Sequence, residues 1–585
     1  MSQLLRSVPQ ATTNRLHARR VLYTVLVVAT MAALLGLAVM ALRGGGLDAL
    51  ESALLAMFVI TLPWTVVGFW NAMIGFLIMR FAPDPVVAVF PAIARLRSDA
   101  PITVSTAILA CIRNEDPAHV LRNLSPLVTG LAADKAAAQF HVYILSDTDQ
   151  AGLIAEEERA CRAFADKWHG CVEVTYRRRT NNHAFKAGNI RDFCERWGAS
   201  HDIAVTLDAD SVMPAQAVLR LARLMEAEPK LGIVQALVVG LPTTSAFARI
   251  FQFGMRFGMR SYTIGSAWWQ GDCGPYWGHN AALRLTPFIE DCEIPELPGG
   301  KQVLSHDQIE AVLMRRAGYE VRVLPEEDLG WEENPPTLLE FLRRDLRWLQ
   351  GNMQYWRFLV MPGLRLVSRC QLAIAILMFM GSPAWVGLLV FGTLLALRGP
   401  QAIDPLYGWA LLALILFMWF APKIATVLDV LSRAPLRRAY GGAGRLLASI
   451  ATETVFFILL SPIQWVSHTI QLVKLAFGRG VGWGAQARHD HAVPVTEALQ
   501  RLWPHTALGA VSIGLLVASN PSAIPVMLLI AGGPMLSVPL AVVTSSPALG
   551  RFMMRIGLCS LPEEIAPPTI LRELDVPALA ARANA

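Results

Sequence analysis

Asp208 and Asp210 close an apolar run, Ile203-Ala204-Val205-Thr206-Leu207, and their type and spacing invite chemistry more than any other residues of the chain. The run reads as a buried strand of the parallel type. A strand that ends in Asp-x-Asp carries negative charge to the carboxyl edge of a sheet, where open α/β folds bind ligands. Carboxylate oxygens suit a hard divalent cation, and a magnesium ion that also holds a diphosphate needs only one or two of them. Asp210-Ser211 could equally cap a following helix, so the pair gains weight only in company.

The company lies at other strand ends. Asn114 and Glu115 follow the apolar run 102–112, and Asp147 and Asp149 follow 140–146. Lys186 and Asn189 stand in Asn182-His183-Ala184-Phe185-Lys186-Ala187-Gly188-Asn189. Each cluster alone has an ordinary structural use, but a core needs none of them. Downstream come Trp277-Gly278-His279-Asn280, Ser305-His306-Asp307 and Arg344-Asp345-Leu346-Arg347-Trp348. Arg177-Arg178-Arg179, directly after a strand, reads as a solvated loop. No Gly-x-Gly-x-x-Gly and no Gly-x-x-x-x-Gly-Lys occurs, so neither a dinucleotide fingerprint nor a P-loop is indicated.

Elements that could position these groups alternate. Short β-branched runs (102–112, 140–146, 172–176, 203–207, 232–236 and 321–324) are separated by helical periodicity at 151–168 and 215–227. That pattern predicts a mostly parallel sheet covered by helices. The chain of 585 residues is 54% hydrophobic and 16% charged, which excludes an ordinary soluble protein. Apolar runs lie at 21–42 and 54–79, then at 371–397, 406–428, 446–473, 507–519 and 523–544. The expected class is therefore α/β plus α-helical membrane, with about seven to eight spans. Residues 1–80 hold the amino terminus and two spans. Residues 81–369 form an inserted globular domain with an interfacial helix near 337–358. Residues 370–545 form a membrane region, and 546–585 a tail.

Arg6, Arg15, Arg19 and Arg20 precede the first run and Arg43 follows it, which places the amino terminus, and after two crossings the globular domain, in the cytoplasm. Eight cysteines without a Cys-x-x-Cys pair read as reduced thiols. The run 446–473 contains Ser461-Pro462 and has basic residues on both flanks. It is too short for two crossings at about 20 residues each, so a broken or re-entrant hairpin is expected. Trp64, Trp70, Asn71, Trp419, Lys423, Glu453, Gln464, Trp465 and His468 are polar or aromatic candidates for a pathway through the bilayer.

The order Asn-Glu, Asp, Lys-Ala-Gly-Asn, Asp-x-Asp resembles family 2 processive glycosyltransferases, which carry a GT-A fold. Cellulose, chitin and hyaluronan synthases usually show Thr-Glu-Asp and Gln-x-x-Arg-Trp; here His306 and Arg344 replace the Glu and the Gln. Those departures fit a narrower resemblance. Tyr276-Trp277-Gly278-His279-Asn280, Leu304-Ser305-His306-Asp307 and Arg344-Asp345-Leu346-Arg347-Trp348-Leu349-Gln350-Gly351-Asn352 are similar to the glucans biosynthesis glucosyltransferase H family of Gram-negative bacteria.

The resemblance implies glucosyl transfer from UDP-glucose to the β-1,2-linked backbone of osmoregulated periplasmic glucans, with export across the inner membrane. Inversion at the sugar requires a base for the acceptor hydroxyl, and Asp307 is the candidate. Asp208 and Asp210 are the catalytic metal ligands, for magnesium or alternatively manganese. Asn114, Glu115, Asp147, Lys186, Asn189, Arg344 and Arg347 are expected at the nucleotide sugar, and Trp277, His279, Asn280 and Trp348 at the acceptor. Related synthases place a gating loop where this chain has its glycine-rich stretch 473–499. Expected partners are UDP-glucose, the growing glucan chain, membrane lipids, acyl carrier protein and periplasmic glucan-processing proteins, with no nucleic acid. A non-processive transferase making a lipid-linked sugar, another polysaccharide synthase, and a transporter with a regulatory domain are the alternatives.

Overall fold

The computed structural model of the chain describes residues 10–42, 46–399, 403–481, 488–574, 576, 578 and 579. Arg6, Arg43, Gly482 and Gly484 lie outside the described residues. The globular domain is built on β1 (Thr106–Ile112), β2 (Phe140–Ser146), β3 (Glu173–Arg178), β4 (Ile203–Asp208), β5 (Leu231–Ala236), β6 (Val239–Gly240), β7 (Ala281–Arg284), β8 (Glu320–Leu324) and β9 (Trp331–Glu332). Seven of these form one sheet in the order β3-β2-β1-β4-β7-β5-β8, while β6 and β9 pair separately. Neighbours in the large sheet run parallel except at β7, which is antiparallel to both β4 and β5.

Both faces of the sheet are covered, as a parallel sheet requires. Alternate residues of β1 go to opposite sides. Ile108, Ala110 and Ile112 join the helices Pro117–Ala132 and Ala215–Ala227. Ala107, Leu109 and Cys111 join Phe185–Trp197 and Asp307–Arg316. The two-sided burial explains why these strands read as continuous apolar runs. β7 escaped the reading because it is four residues long and begins directly after Asn280.

Among the described residues six helices are long and apolar enough to cross a membrane, and the pair Pro521–Met535 and Ser537–Thr544, bent by 58°, makes a seventh if it is one span. The larger expected number is not reached. The stretch expected to break at Ser461-Pro462 is instead one helix, Ala443–Ala476, with Pro462 inside it. Proline removes a single backbone donor, and the Ser461 hydroxyl bonds the Phe457 carbonyl beside it. Both flanks of this helix rest on the globular domain. Tyr440 packs against Phe253 and Phe257, with ring centroids 5.9 and 5.0 Å away, and the Val481 amide donates to Gln350 Oε1 at 2.6 Å. Both ends of this helix thus meet the same domain, although its length and composition alone would pass for a span.

The other apolar helices form three hairpins. Their far turns are bonded together: the Asp404 amide donates to the Ala41 carbonyl, Arg398 pairs with Asp48, and Asn520 Nδ2 donates to the Ala396 carbonyl. At the other end the Val493 amide donates to Ser545 Oγ at 2.9 Å. The 546–585 stretch is described in most of its residues. Its described residues pack behind β9 and the Asp-x-Asp loop, where Ile570, Leu571 and Leu574 join Val212, Val239 and Trp331. Both terminal nitrogens of Arg249 donate to Glu564 Oε2 at 3.0 Å. Arg256 donates to Glu563 Oε1 at 2.9 Å.

Candidate active site

The carboxyl ends of β1, β2 and β4 open onto a cavity of about 330 Å³. Asn114, Glu115, Asp147, Lys186, Asn189, Asp208, Asp210, Trp277, His279, Asp307, Arg344, Arg347 and Trp348 all line it. Asn280 does not. It is fully buried beneath the rim, where its backbone takes a left-handed turn (φ 50°) and its Oδ1 accepts from Ser211 Oγ at 2.7 Å. It therefore holds the Asp-x-Asp loop rather than facing an acceptor.

Lys186 stands at the centre. Its Nζ ion-pairs with Asp208 and donates to the Gly278 carbonyl at 2.7 Å. Burial is the largest influence on both partners and opposes their charge, but the surrounding opposite charges together prevail: the Lys186 pKa is raised, by Asp208 and Asp307 among others, and the Asp208 pKa lowered, by Lys186, His279 and Arg488. Gly278 has φ 86°, and a Cβ there would lie 3.5 Å from Asp307 Cβ and 3.9 Å from Lys186 Nζ. The base candidate, the lysine and the first aspartate thus meet around one glycine.

Asp307 opens the helix Asp307–Arg316, and no side chain caps that helix at His306. Ser305 Oγ donates to Asp307 Oδ1 at 3.1 Å, while His306 Nδ1 lies 2.9 Å from Glu310 Oε2. Burial raises the Asp307 pKa above the ordinary carboxylate value against the opposing pull of His306. A carboxyl held this way is a stronger base when ionised.

The arginine run is not a solvated loop: Arg177 and Arg178 end β3, and only Arg179 follows it. Arg177 is 8% exposed; it donates to Asn189 Oδ1 at 2.6 Å and pairs with Asp192 at 2.9 Å. Arg179 grips Asp147 with two bonds, 2.8 and 2.6 Å, and donates to the His183 and Phe185 carbonyls. Ala184 and Phe185 both have positive φ, 58° and 51°, so this clamp holds a strained turn directly before Lys186. Position at a strand's carboxyl end, the same signal that picked out the aspartates, would have identified Arg179. Glu332 was also missed. It lines the cavity 3.6 Å from His279 Nε2, and β9 brings it there from a stretch too short to read as a strand.

Arg488 was passed over as part of a glycine-rich loop. It also lines the cavity, with bonds to Glu115 and Asp210. Among the described residues no three His, Cys, Asp or Glu side chains converge as a metal cage. Asp208 and Asp210 are hard oxygen donors of the number a diphosphate-bound magnesium or manganese ion takes from protein, so the residues present fit that group.

Leu338–Asn352 carries Arg344, Arg347 and Trp348 to the cavity, with the Arg344 guanidinium 4.7 Å over the Trp348 ring. Asp345 of the same helix is bonded into the apolar helices: His468 Nε2 lies 2.6 Å from Asp345 Oδ2, and Ser382 Oγ lies 2.8 Å from His468 Nδ1. Trp385 stacks on Trp465 at 4.5 Å and touches Trp419 at 5.5 Å, and Lys423 pairs with Glu453 at 2.8 Å. Several of the suspected pathway residues therefore have protein partners directly above the cavity helix.

The Glycosyl transferase family group 2 model matches residues 203–422, from β4 into the membrane region. Glucans biosynthesis glucosyltransferase H of Vibrio cholerae is 34% identical over 90% of this chain and 75% of its own length. The protein of that name from Rhodopseudomonas palustris is 33% identical over 91% of this chain and 75% of its own. The chain belongs to the glucans biosynthesis glucosyltransferase H family. It spans 63% of the length of the relative from Cupriavidus pinatubonensis, at 35% identity over 89% of this chain. A solved structure, the mannosyltransferase PcManGT from Pyrobaculum calidifontis in complex with GDP-Man and Mn2+, is 16% identical over 65% of this chain and 98% of its own, with a TM-score of 0.41. That likeness is too slight to bear on the chemistry of the site.

Proposed function

We propose that this glucosyltransferase H family member is an inverting, processive transferase. It builds the β-1,2-linked backbone of osmoregulated periplasmic glucans from UDP-glucose and passes it across the inner membrane, with its globular domain in the cytoplasm. One observation carries the reading: Asp208, Asp210, Lys186 and Asp307 line one cavity roofed by a helix that is itself bonded to the membrane bundle. The donor sugar, the linkage and the direction of export are part of the proposal, supported by the resemblance of the motifs to that family. Acyl carrier protein and periplasmic processing proteins belong to the same expectation.

In this reading the Asp307 carboxylate takes the proton from the acceptor hydroxyl as the bond between glucose and diphosphate opens. Lys186 and the arginines of the roof stabilise the charge that develops on the departing nucleotide. A divalent ion at Asp208 and Asp210 would supply further Lewis-acid stabilisation of that leaving group. Trp348, 48% exposed at the cavity mouth, offers an apolar face to the C–H face of an acceptor sugar. Purified protein incubated with radiolabelled UDP-glucose and magnesium tests the proposal. A long alkali-stable polymer with 1,2 linkages is expected. A single sugar on lipid, or no UDP release, would overturn it.

A further inference from the structure

Arg488 sits where it leaves the cavity's carboxylates little room for another cation. Its Nε and one terminal nitrogen fork onto Glu115 at 3.0 and 2.8 Å, and the other terminal nitrogen reaches Asp210 Oδ2 at 2.6 Å. Glu333 Oε2 lies 3.8 Å from the same nitrogen. The side chain is 17% exposed. Glu115 follows β1 and Asp210 follows β4, so one guanidinium bridges two strand ends. Arg488 also lines a second cavity of about 270 Å³, beside Glu333 and His119.

The charge accounting makes this arrangement conditional. Asp208 is matched by Lys186, and Glu333 has the Arg122 guanidinium at 3.9 Å and accepts the approach of His119 Nε2 at 3.2 Å. Among the described residues Arg488 forms the ion pairs with both Glu115 and Asp210, and Arg344 adds a more distant positive charge at Asp210. Without it, two half-buried carboxylates would face the same cavity with no cation between them, a situation that draws one in. A planar guanidinium pairs as well with a phosphate as with a carboxylate. The group that neutralises the carboxylates now can therefore neutralise a diphosphate once another cation has replaced it.

We propose that Arg488 is a donor-site residue with two alternative partners: it holds the cation position on Asp210 and Glu115 until a metal-bound nucleoside diphosphate arrives, and then pairs with the diphosphate. The inference rests on the donor reading of the cavity and adds to it a direct competition between this arginine and the divalent ion. Competition has a signature that a purely structural role lacks. Losing Arg488 strengthens metal binding to the free protein and weakens nucleotide binding to the metal-loaded protein, two changes of opposite sign.

The experiment titrates Mn2+ into the full chain in lipid nanodiscs and reads free ion by its paramagnetic resonance signal. UDP affinity at saturating Mn2+ is then read by calorimetry. Arg488→Gln is expected to bind Mn2+ at least tenfold more tightly than the unsubstituted protein in the absence of nucleotide, and to bind UDP at least tenfold more weakly. Arg488→Lys, which keeps the charge without the fork, is expected to fall between the two on both measures. Adding Asp210→Asn to Arg488→Gln is expected to cancel the gain in Mn2+ affinity. Unchanged or weaker Mn2+ binding in both Arg488 variants overturns the competition, as does a gain that survives Asp210→Asn. Unchanged UDP affinity overturns the second partner. If the unsubstituted protein takes up no Mn2+ even with UDP present, the donor reading itself fails and the inference with it.

Discussion

The same chemical pair, carboxylate and guanidinium, is used on the two sides of the Asp-x-Asp loop for different ends. Behind the loop, Arg249 and Glu564 have side chains only 1% and 2% exposed, and Arg256 and Glu563 only 7% and 6%. Trp331 Nε1 donates to Glu563 Oε1 at 3.2 Å, and the Trp331 backbone exchanges hydrogen bonds of 2.8 and 2.9 Å with Val212. These pairs are sealed among Val212, Val239, Leu241 and the helix Thr569–Glu573. In front, the Arg488 pairs with Glu115 and Asp210 border open cavity. Burial separates the two roles. A pair closed off from open space fixes the backbone, whereas a pair beside space that a ligand can enter is exchangeable.

Removing the reacting groups in front should have the largest effect. Asp307→Asn and Asp210→Asn are each expected to lower the rate of UDP release by about a thousandfold or more, in the range lost with a general base or a charge-stabilising group. Thermal melting of both variants should stay within a few degrees of the unsubstituted protein. Near-normal turnover in Asp307→Asn would remove that residue from the base role.

The back of the loop should respond in the opposite way. Glu564→Ala leaves the Arg249 guanidinium buried without its partner, which costs on the order of 3–5 kcal/mol. A large fall in melting temperature is expected, while Arg488→Gln should melt almost as the unsubstituted protein does. If the two variants melt alike, the contrast between fixed and exchangeable pairs is wrong.

That contrast also marks where the sequence could be read. The parallel strands were legible because both faces of β1, β2 and β4 are buried, which leaves largely apolar runs followed by polar and charged residues at their carboxyl ends. Asp208 and Asp210 stood out for that reason and Lys186 for its place among the same strand-end clusters, whereas Asp307 was picked out by its motif. Glu563 and Glu564 did not, since a carboxylate near the end of a membrane protein looks the same whether it meets water or Arg249. β7 and β9 were hidden by shortness, at four and two residues. The helix Ala443–Ala476 has a spanning composition yet both its flanks meet the globular domain, and hydropathy reports composition rather than direction. Asn280 was misplaced because a motif gives the residue and not the way its side chain turns.

Acidity should sharpen the front of the site further. The Asp307 carboxyl must be ionised to accept a proton, and burial raises its pKa. A raised value means that the proton is lost only at higher pH. The acid limb of the profile for UDP release should therefore lie above the ordinary aspartate value of about 4, with activity falling as pH drops through it. His306→Gln removes a charge that opposes the shift, so the limb should move to still higher pH. A limb that stays in place, or moves down, would show that another group sets it.

The smallest expected effect comes from a pair that is intermediate between the two kinds. Arg179 and Asp147 have side chains 9% and 5% exposed, as sealed as the pairs at the back, yet Asp147 lines the cavity at the front. The two-pronged geometry also ties the pair to the turn His183–Phe185, just before the lysine that meets Asp208. Arg179→Lys keeps the charge and loses the fork. The chain should still fold, because one ion pair persists, but the turn loses a carbonyl partner and Lys186 loses its fixed approach. The KM for the donor is expected to rise severalfold, about 1 kcal/mol in binding, with kcat changed by less than half. A fall in kcat at unchanged KM would place Arg179 with the reacting groups, and a melting temperature as low as that of Glu564→Ala would place it with the sealed pairs behind the loop.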